Sequence, residues 1–169
     1  MSNRSSGAAS TAAVLLEKVV EGLPPGFEVM RAEALAEGYR FLERLAADWD
    51  SGALRFTKAG EALLAAYSGR VLVGMGGLTV DPVMRDALRM RRFYVRHAFR
   101  RHHIGRMLAT ALLDRAARTK RPVTVNGAAG SDRFWESLGF VPDKRDGHTH
   151  LLAARVSTDA AAVRRLSGA

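Results

Sequence analysis

The chain has no cysteine in 169 residues. That excludes a disulfide framework, a thiol nucleophile and a cysteine zinc site. No apolar run approaches the roughly 20 residues that span a bilayer, and residues 1–13 lack the apolar core of a signal peptide. A cytoplasmic protein without a membrane partner is therefore expected. Aromatic residues make up only 7% of the chain, which leaves few rings on which nucleic-acid bases would stack. Negative charge is also scarce, with 17 acidic residues against 26 basic ones. The imbalance is local. Residues 85–121 carry twelve arginines and lysines against Asp86 and Asp114, while the remainder, 14 basic and 15 acidic, nearly cancels. A single charged site or face is expected, rather than a uniformly basic protein.

Enough apolar residues are present for one compact domain with its own core. Residues 1–13 read as a disordered Ser/Ala tail, and the domain as 14–154. Residues 155–169 form a C-terminal tail of helical propensity. The apolar spacing of "AAVLLEKVVEGLPPG" predicts a short helix, usable in packing or as a dimer contact, and stopped by Gly22 and the Pro24-Pro25-Gly26 turn. "FEVMRA" reads as a strand. "EALAEGYRFLERLAADW" reads as one long amphipathic helix, with Tyr39, Phe41 and Trp49 in the core. "EALLAAY" and "RVLVGMGGLTV" form a hairpin about Ser68-Gly69. Gly74, Gly76 and Gly77 suggest a bulge or a close backbone approach. "ALRMRRFYV" is a further strand, "IGRMLATALLDRAAR" a helix, "PVTVN" a short buried strand, "SDRFWESLG" a short helix and "THLLAAR" a last strand. The order predicts a mixed α/β domain with helices on both faces of one sheet.

The basic segment lies where a strand hands over to a helix. The first amides of a helix have no internal partner, and the macrodipole favours negative charge there. A tight turn opening on Gly105, with Arg100, Arg101, Arg106, His102 and His103 around it, suits a polyphosphate. A solvated basic turn followed by a surface helix fits the same residues equally well.

"RRFYVRHAFRRHHIGRMLATALL" resembles the acetyl-CoA signature of the GNAT superfamily of N-acetyltransferases. That signature is a strand ending in Val, a loop, then Arg/Gln-x-x-Gly-x-Gly/Ala opening a helix. Val95 matches the strand end, and Arg100, His103 and Gly105 fall on the three marked positions. "FWESLGF", Phe134 to Phe140, is similar to the family's second motif. The resemblance is specific over 88–142. It implies a central twisted, mostly antiparallel sheet with a splayed parallel pair. It also implies acetyl transfer from acetyl-CoA to a small-molecule or peptide amine, by direct attack in a ternary complex. Phe93 and Val95 would then meet the pantetheine arm, and the amides of Arg101, His103, Gly105 and Arg106 would cradle the pyrophosphate, with Arg100 adding charge beside them. Asn126 and Trp135 complete the cofactor-binding set, and no metal is implied.

The sequence departs from the family pattern at three positions. His103 replaces the first glycine, which requires a left-handed backbone or another route through the turn. Trp135 stands where relatives carry a tyrosine that protonates the leaving thiolate, and tryptophan is no useful acid. Tyr94 and Tyr67 are the alternatives. Arg89 stands where relatives often carry a glutamate base. An arginine there can hold an acidic group on the acceptor, which makes Arg89 the expected substrate-binding residue; an exposed sheet face carrying Arg89 and Arg91 fits the same residues equally well. Asp81, Asp86, Glu28, Glu33 and His97 remain as bases, with Val95, Tyr94 and His97 the catalytic set. Rival readings are an acyl-CoA sensor without chemistry, or a nucleic-acid-associated module. His148 and His150, two apart in a strand, share a face and are expected to face solvent or the acceptor.

Overall fold

The computed structural model describes residues 13–145 and 147–155. The order is β1 (Val14–Lys18), α1 (Phe27–Ala36), α2 (Phe41–Ser51), β2 (Ala62–Ser68), β3 (Val71–Val80) and β4 (Leu88–Val95). A 3₁₀ turn (His97–Phe99) leads to α3 (Ile104–Ala117), β5 (Val123–Val125), α4 (Asp132–Glu136), β6 (Val141–Arg145) and β7 (His148–Leu152). The strands form one seven-stranded sheet in the order β1-β2-β3-β4-β5-β7-β6. Every neighbouring pair is antiparallel except β4 with β5. The mixed α/β expectation, with a parallel pair inside an antiparallel sheet, holds.

The first third of the chain differs from the sequence reading. Residues 14–18 are an edge strand in register with β2, not a helix, because β2 supplies backbone partners that the apolar spacing does not reveal. Residues 27–36 are a helix, not a strand. Phe27, Met30 and Ala34 are its buried positions, a helical spacing that the β-like run "FEVM" conceals. The single long helix is two helices, parted at Gly38, whose φ of 88° suits glycine. β6 was not anticipated. Its charged, exposed sequence contains Pro142, which an edge strand tolerates. The tails assigned to 1–13 and 155–169 fall almost wholly outside the described residues.

Two cores flank the sheet. Phe27, Met30, Leu42, Leu45 and Trp49 of α1 and α2 pack with Leu63, Met75 and Tyr94 on one face. Leu112, Leu113 and Trp135 of α3 and α4 pack with Leu78, Leu88, Met90 and Val125 on the other. The three strand glycines serve close approach. A Cβ on Gly76 would lie 2.7 Å from the Phe93 ring, and one on Gly77 would lie 2.6 Å from Phe56. The β3–β4 register also slips between Met75 and Gly77, opposite Arg92, whose φ is 56°. This is a β-bulge, and it decides which side chains reach each face.

Candidate active site

The parallel pairing of β4 with β5 is short. It covers Leu88 to Met90 against Val123 to Val125, and beyond it β4 continues without that neighbour. Arg96 N–H donates to Val73 C=O at 2.9 Å, so by strand alternation the main-chain groups of Val95 face away from β3, into the gap. The Val95 carbonyl accepts from Arg100 Nε at 3.0 Å. The gap is one end of a cavity of about 1080 Å³. The opposing wall is the start of α3.

α3 opens without a side-chain cap and without an acid in its first turn. Its first amides therefore keep their hydrogen-bonding capacity and the positive end of the dipole for a ligand. Arg101 and His103 both adopt left-handed backbone, at φ 67° and 61°. This is the strained solution that the missing glycine at 103 demands, at a cost of roughly 1–2 kcal/mol per residue. Gly105 needs no such conformation. A Cβ there would make only ordinary contact, 3.5 Å from Phe134. Neither backbone nor packing calls for glycine at 105, so the close approach it permits is toward the cavity. The donor set fits a pyrophosphate-bearing ligand: free helix amides, the Arg101, His103 and Arg106 side chains lining the cavity, and an open strand edge beside them.

The comparisons agree with this geometry. Residues 26–154 match the family described as "Acetyltransferase (GNAT) domain". The chain belongs to the GNAT acetyltransferases. No curated protein matches it significantly. An Exiguobacterium sp. 255-15 protein assigned as an acetyltransferase has a similar solved structure, with a TM-score of 0.77 at 23% identity over 91% of this chain and 99% of that one. A GNAT-family acetyltransferase from Staphylococcus aureus Mu50 has a TM-score of 0.65 at 12% identity, covering 82% and 96%. Glucosamine-6-phosphate N-acetyltransferase from Arabidopsis thaliana has a TM-score of 0.58 at 14% identity, covering 79% and 95%. At these identities the likeness is one of fold.

In this acetyltransferase the cavity gathers all nine of the expected cofactor residues. Phe93, Val95, Arg100, Arg101, His103, Gly105, Arg106, Asn126 and Trp135 all line it, as does Arg89. Arg100 is already engaged, however. Besides Val95 O, it reaches both carboxylate oxygens of Glu37 at 2.8 Å, so it clamps the end of β4 to the end of α1. Trp135 packs edge-on against Phe93, Phe134 and Phe140, consistent with a structural role for its ring.

Tyr94 and His97 do not line the cavity. Tyr94 points to the α1–α2 face and donates to Glu37 Oε1 at 2.5 Å. Burial, and then this bond, push its phenol above the ordinary value, so it gives up its proton less readily. Its second role is electrostatic, since the Arg100 guanidinium lies 5.4 Å from its ring centre. His97 is exposed in the 3₁₀ turn. Tyr67 lies in β2 opposite Leu15, away from the cavity.

Arg89 is also committed. Its Nε and Nη2 donate to Asp81 at 3.2 and 3.1 Å. Asp81 is fully buried and also accepts from the amides of Val83 and Met84 and from the Thr124 hydroxyl. Burial alone would raise its carboxyl. Thr124, the two amides and Arg89 outweigh that and hold it below the usual value. Asp81 is thereby a structural anion rather than an accessible base. Glu33 pairs with Arg96, and Asp86 and Glu28 are not in the lining.

The far end of the cavity holds residues that the sequence did not single out as functional: Tyr39, Phe41, Arg44, Arg91, Arg92 and the 127–131 loop. Tyr39 and Phe41 do pack on the α1–α2 core as expected, but their rings also wall the cavity. Among the described residues, seven arginines line it and no carboxylate does. His148 and His150 are not solvent-facing. Both are about 3% exposed, with His148 Nε2 3.4 Å from Asp143 and His150 Nδ1 2.8 Å from Thr149 Oγ1. Neither lines the cavity, because the covering of β7 by its neighbours is invisible to an i, i+2 pattern. No helix among the described residues is long and apolar enough to cross a membrane.

Proposed function

We propose that this acetyltransferase moves the acetyl group of acetyl-CoA to an amine by direct attack in a ternary complex. The observation that carries the reading is the juxtaposition, in one cavity, of the open edge of β4 with the uncapped start of α3. Bound acetyl-CoA supplies an activated thioester, whose carbonyl carbon bonds to the amine nitrogen as the C–S bond breaks and the thiolate leaves. The amides of His103, Gly105 and Arg106 cradle the pyrophosphate, helped by the side chains of Arg101 and Arg106. Phe93 and Val95 offer main-chain groups to the pantetheine arm, and the Val95 N–H polarises the carbonyl. Asn126 and Trp135 close the other wall.

Among the described residues, no carboxylate lines the cavity to act as a base. The cluster of guanidiniums disfavours a second positive charge, so it favours the neutral, nucleophilic form of the incoming amine. The proton lost on bond formation passes to solvent or to the departing thiolate. Attack then depends on alignment more than on a dedicated base.

The test is coenzyme A release across a series of amines of differing basicity, measured against pH. The expected kcat/KM rises with pH up to each amine's own pKa. A plateau at one pH shared by all the amines would instead reveal a titrating protein group. Accumulation of an acetyl-enzyme with acetyl-CoA alone would contradict the ternary complex.

A further inference from the structure

We propose that the far end of the cavity is a second anion site, in which Arg91, Arg92 and Arg44 hold a phosphate or carboxylate carried by the amine substrate itself. The inference deepens the acetyl-transfer reading and rests on it for the identity of that substrate as the acceptor.

The bulge creates the site. Met90 and Phe93 pack on the α3 side of the sheet. Gly77 opposes Arg91 across the β3–β4 ladder, and opposed residues project to the same face. A Cβ on Gly77 would point at Phe56, which belongs to the α1–α2 core, so Arg91 points to that face too. Arg92 reaches Asp48 of α2 at 2.7 Å and shares the face. An uninterrupted strand would have sent these neighbours to opposite sides. The bulge aims both at the cavity beneath Arg44, one helical turn before Asp48 on α2.

The charges there do not balance from within. Asp48 meets only one Nη of Arg92, whose side chain is 7% exposed. The Nε of Arg92 is buried without a hydrogen-bond partner. Among the described residues, no carboxylate pairs with Arg91 or Arg44. Burial, then the nearby Arg92 and Arg89, lower the Arg91 guanidinium's affinity for its proton. Buried donors are ordinarily satisfied, and like charges are ordinarily kept apart. Planar guanidinium forks match the two oxygens of a carboxylate or phosphate, and such a group would satisfy the donors and separate the charges. Arg89 was the expected anion holder, but its own carboxylate occupies it. The role passes two residues along the strand.

The experiment titrates inorganic phosphate, and separately acetate, into the protein saturated with coenzyme A, followed by calorimetry. The coenzyme fills the α3 turn, so remaining anion binding reports the other end of the cavity. The expected result is saturable binding that Arg91→Gln weakens about tenfold, with coenzyme A affinity unchanged. Arg91→Gln should also unfold no earlier than the parent, since it removes an uncompensated charge. Should that variant not fold, Arg44→Gln, at an exposed helix position, is read in its place and weakens binding severalfold. The ranking of phosphate against acetate tells which group the substrate carries. No saturable response to either anion, or one indifferent to both substitutions, overturns the proposal. If coenzyme A itself fails to bind, the acetyltransferase reading falls instead. Dependence of phosphate binding on Arg91 in the free protein then still decides the anion site.

Discussion

Gly105→Asp is expected to weaken coenzyme A binding at least a hundredfold while leaving the free protein as stable as before or more so. The two effects separate because residue 105 has two environments. Toward the protein, a new side chain meets ordinary contacts, the nearest being Phe134 at 3.5 Å. Within α3 it sits in the first turn, where no acid is present and where a carboxylate gains about 0.3–1 kcal/mol from the macrodipole. Replacing a helical glycine by aspartate, itself a weak helix former, adds roughly 0.3 kcal/mol more. Toward the cavity, the same carboxylate occupies the space and repels the charge of a pyrophosphate. Calorimetric titration and urea unfolding of one variant check both halves. Unchanged coenzyme affinity would show that the α3 turn is not the phosphate site.

The second large effect concerns Asp81. Asp81→Ala is expected to cost about 3–5 kcal/mol, because it leaves the Arg89 charge buried without its partner. In a domain of this size that lowers the unfolding temperature by roughly 6–20 °C. Arg89 is only 12% exposed, and the Val83 and Met84 amides and the Thr124 hydroxyl lose the same acceptor. The pH dependence has a defined sign. The folded carboxyl is held below the usual carboxylate value, so its contribution is fully present above the unfolded pKa of about 3.9. It is lost as pH falls through the lower folded value. The gap between the urea midpoints of parent and variant should therefore be widest at pH 7 and narrow as the pH falls below the unfolded value. A cost under about 1 kcal/mol at pH 7 would mean that water replaces the carboxylate.

These two residues differ in how well the sequence announced them. Gly105 was legible because the turn proposed to hold phosphate is built from main chain, and the chain marks it by local signals: a strand end, a glycine and a run of cations. Asp81 was visible only as one acid flanking a strand, since its partners arrive from Arg89 and from Thr124, 43 positions away. The same contrast runs through the fold. The hairpin at Ser68-Gly69, the strand 88–95 and α3 follow from periodicity. β1 and β6 do not, because each gains its strand character from a single neighbour.

The far end of the cavity was hidden for a third reason. Period-two reasoning places Arg91 and Arg92 on opposite faces, and only the bulge brings them together. The glycines opposite it were a signal, read correctly as a bulge or close approach. They did not say which side chains would turn. Tyr39, Phe41 and Arg44 lie around the break between α1 and α2, which the sequence presented as one continuous helix.

The most direct test of the central claim is thermal unfolding with and without acetyl-CoA, at low and at moderate salt. Ligand at about one hundred times its Kd should add roughly 2.7 kcal/mol, a rise of some 5–10 °C for a domain of this size. The account predicts that rise at both salt concentrations, carried by the main chain of β4 and α3. No rise with acetyl-CoA, alongside a salt-sensitive rise with short RNA, would contradict it and return the arginines to a different partner.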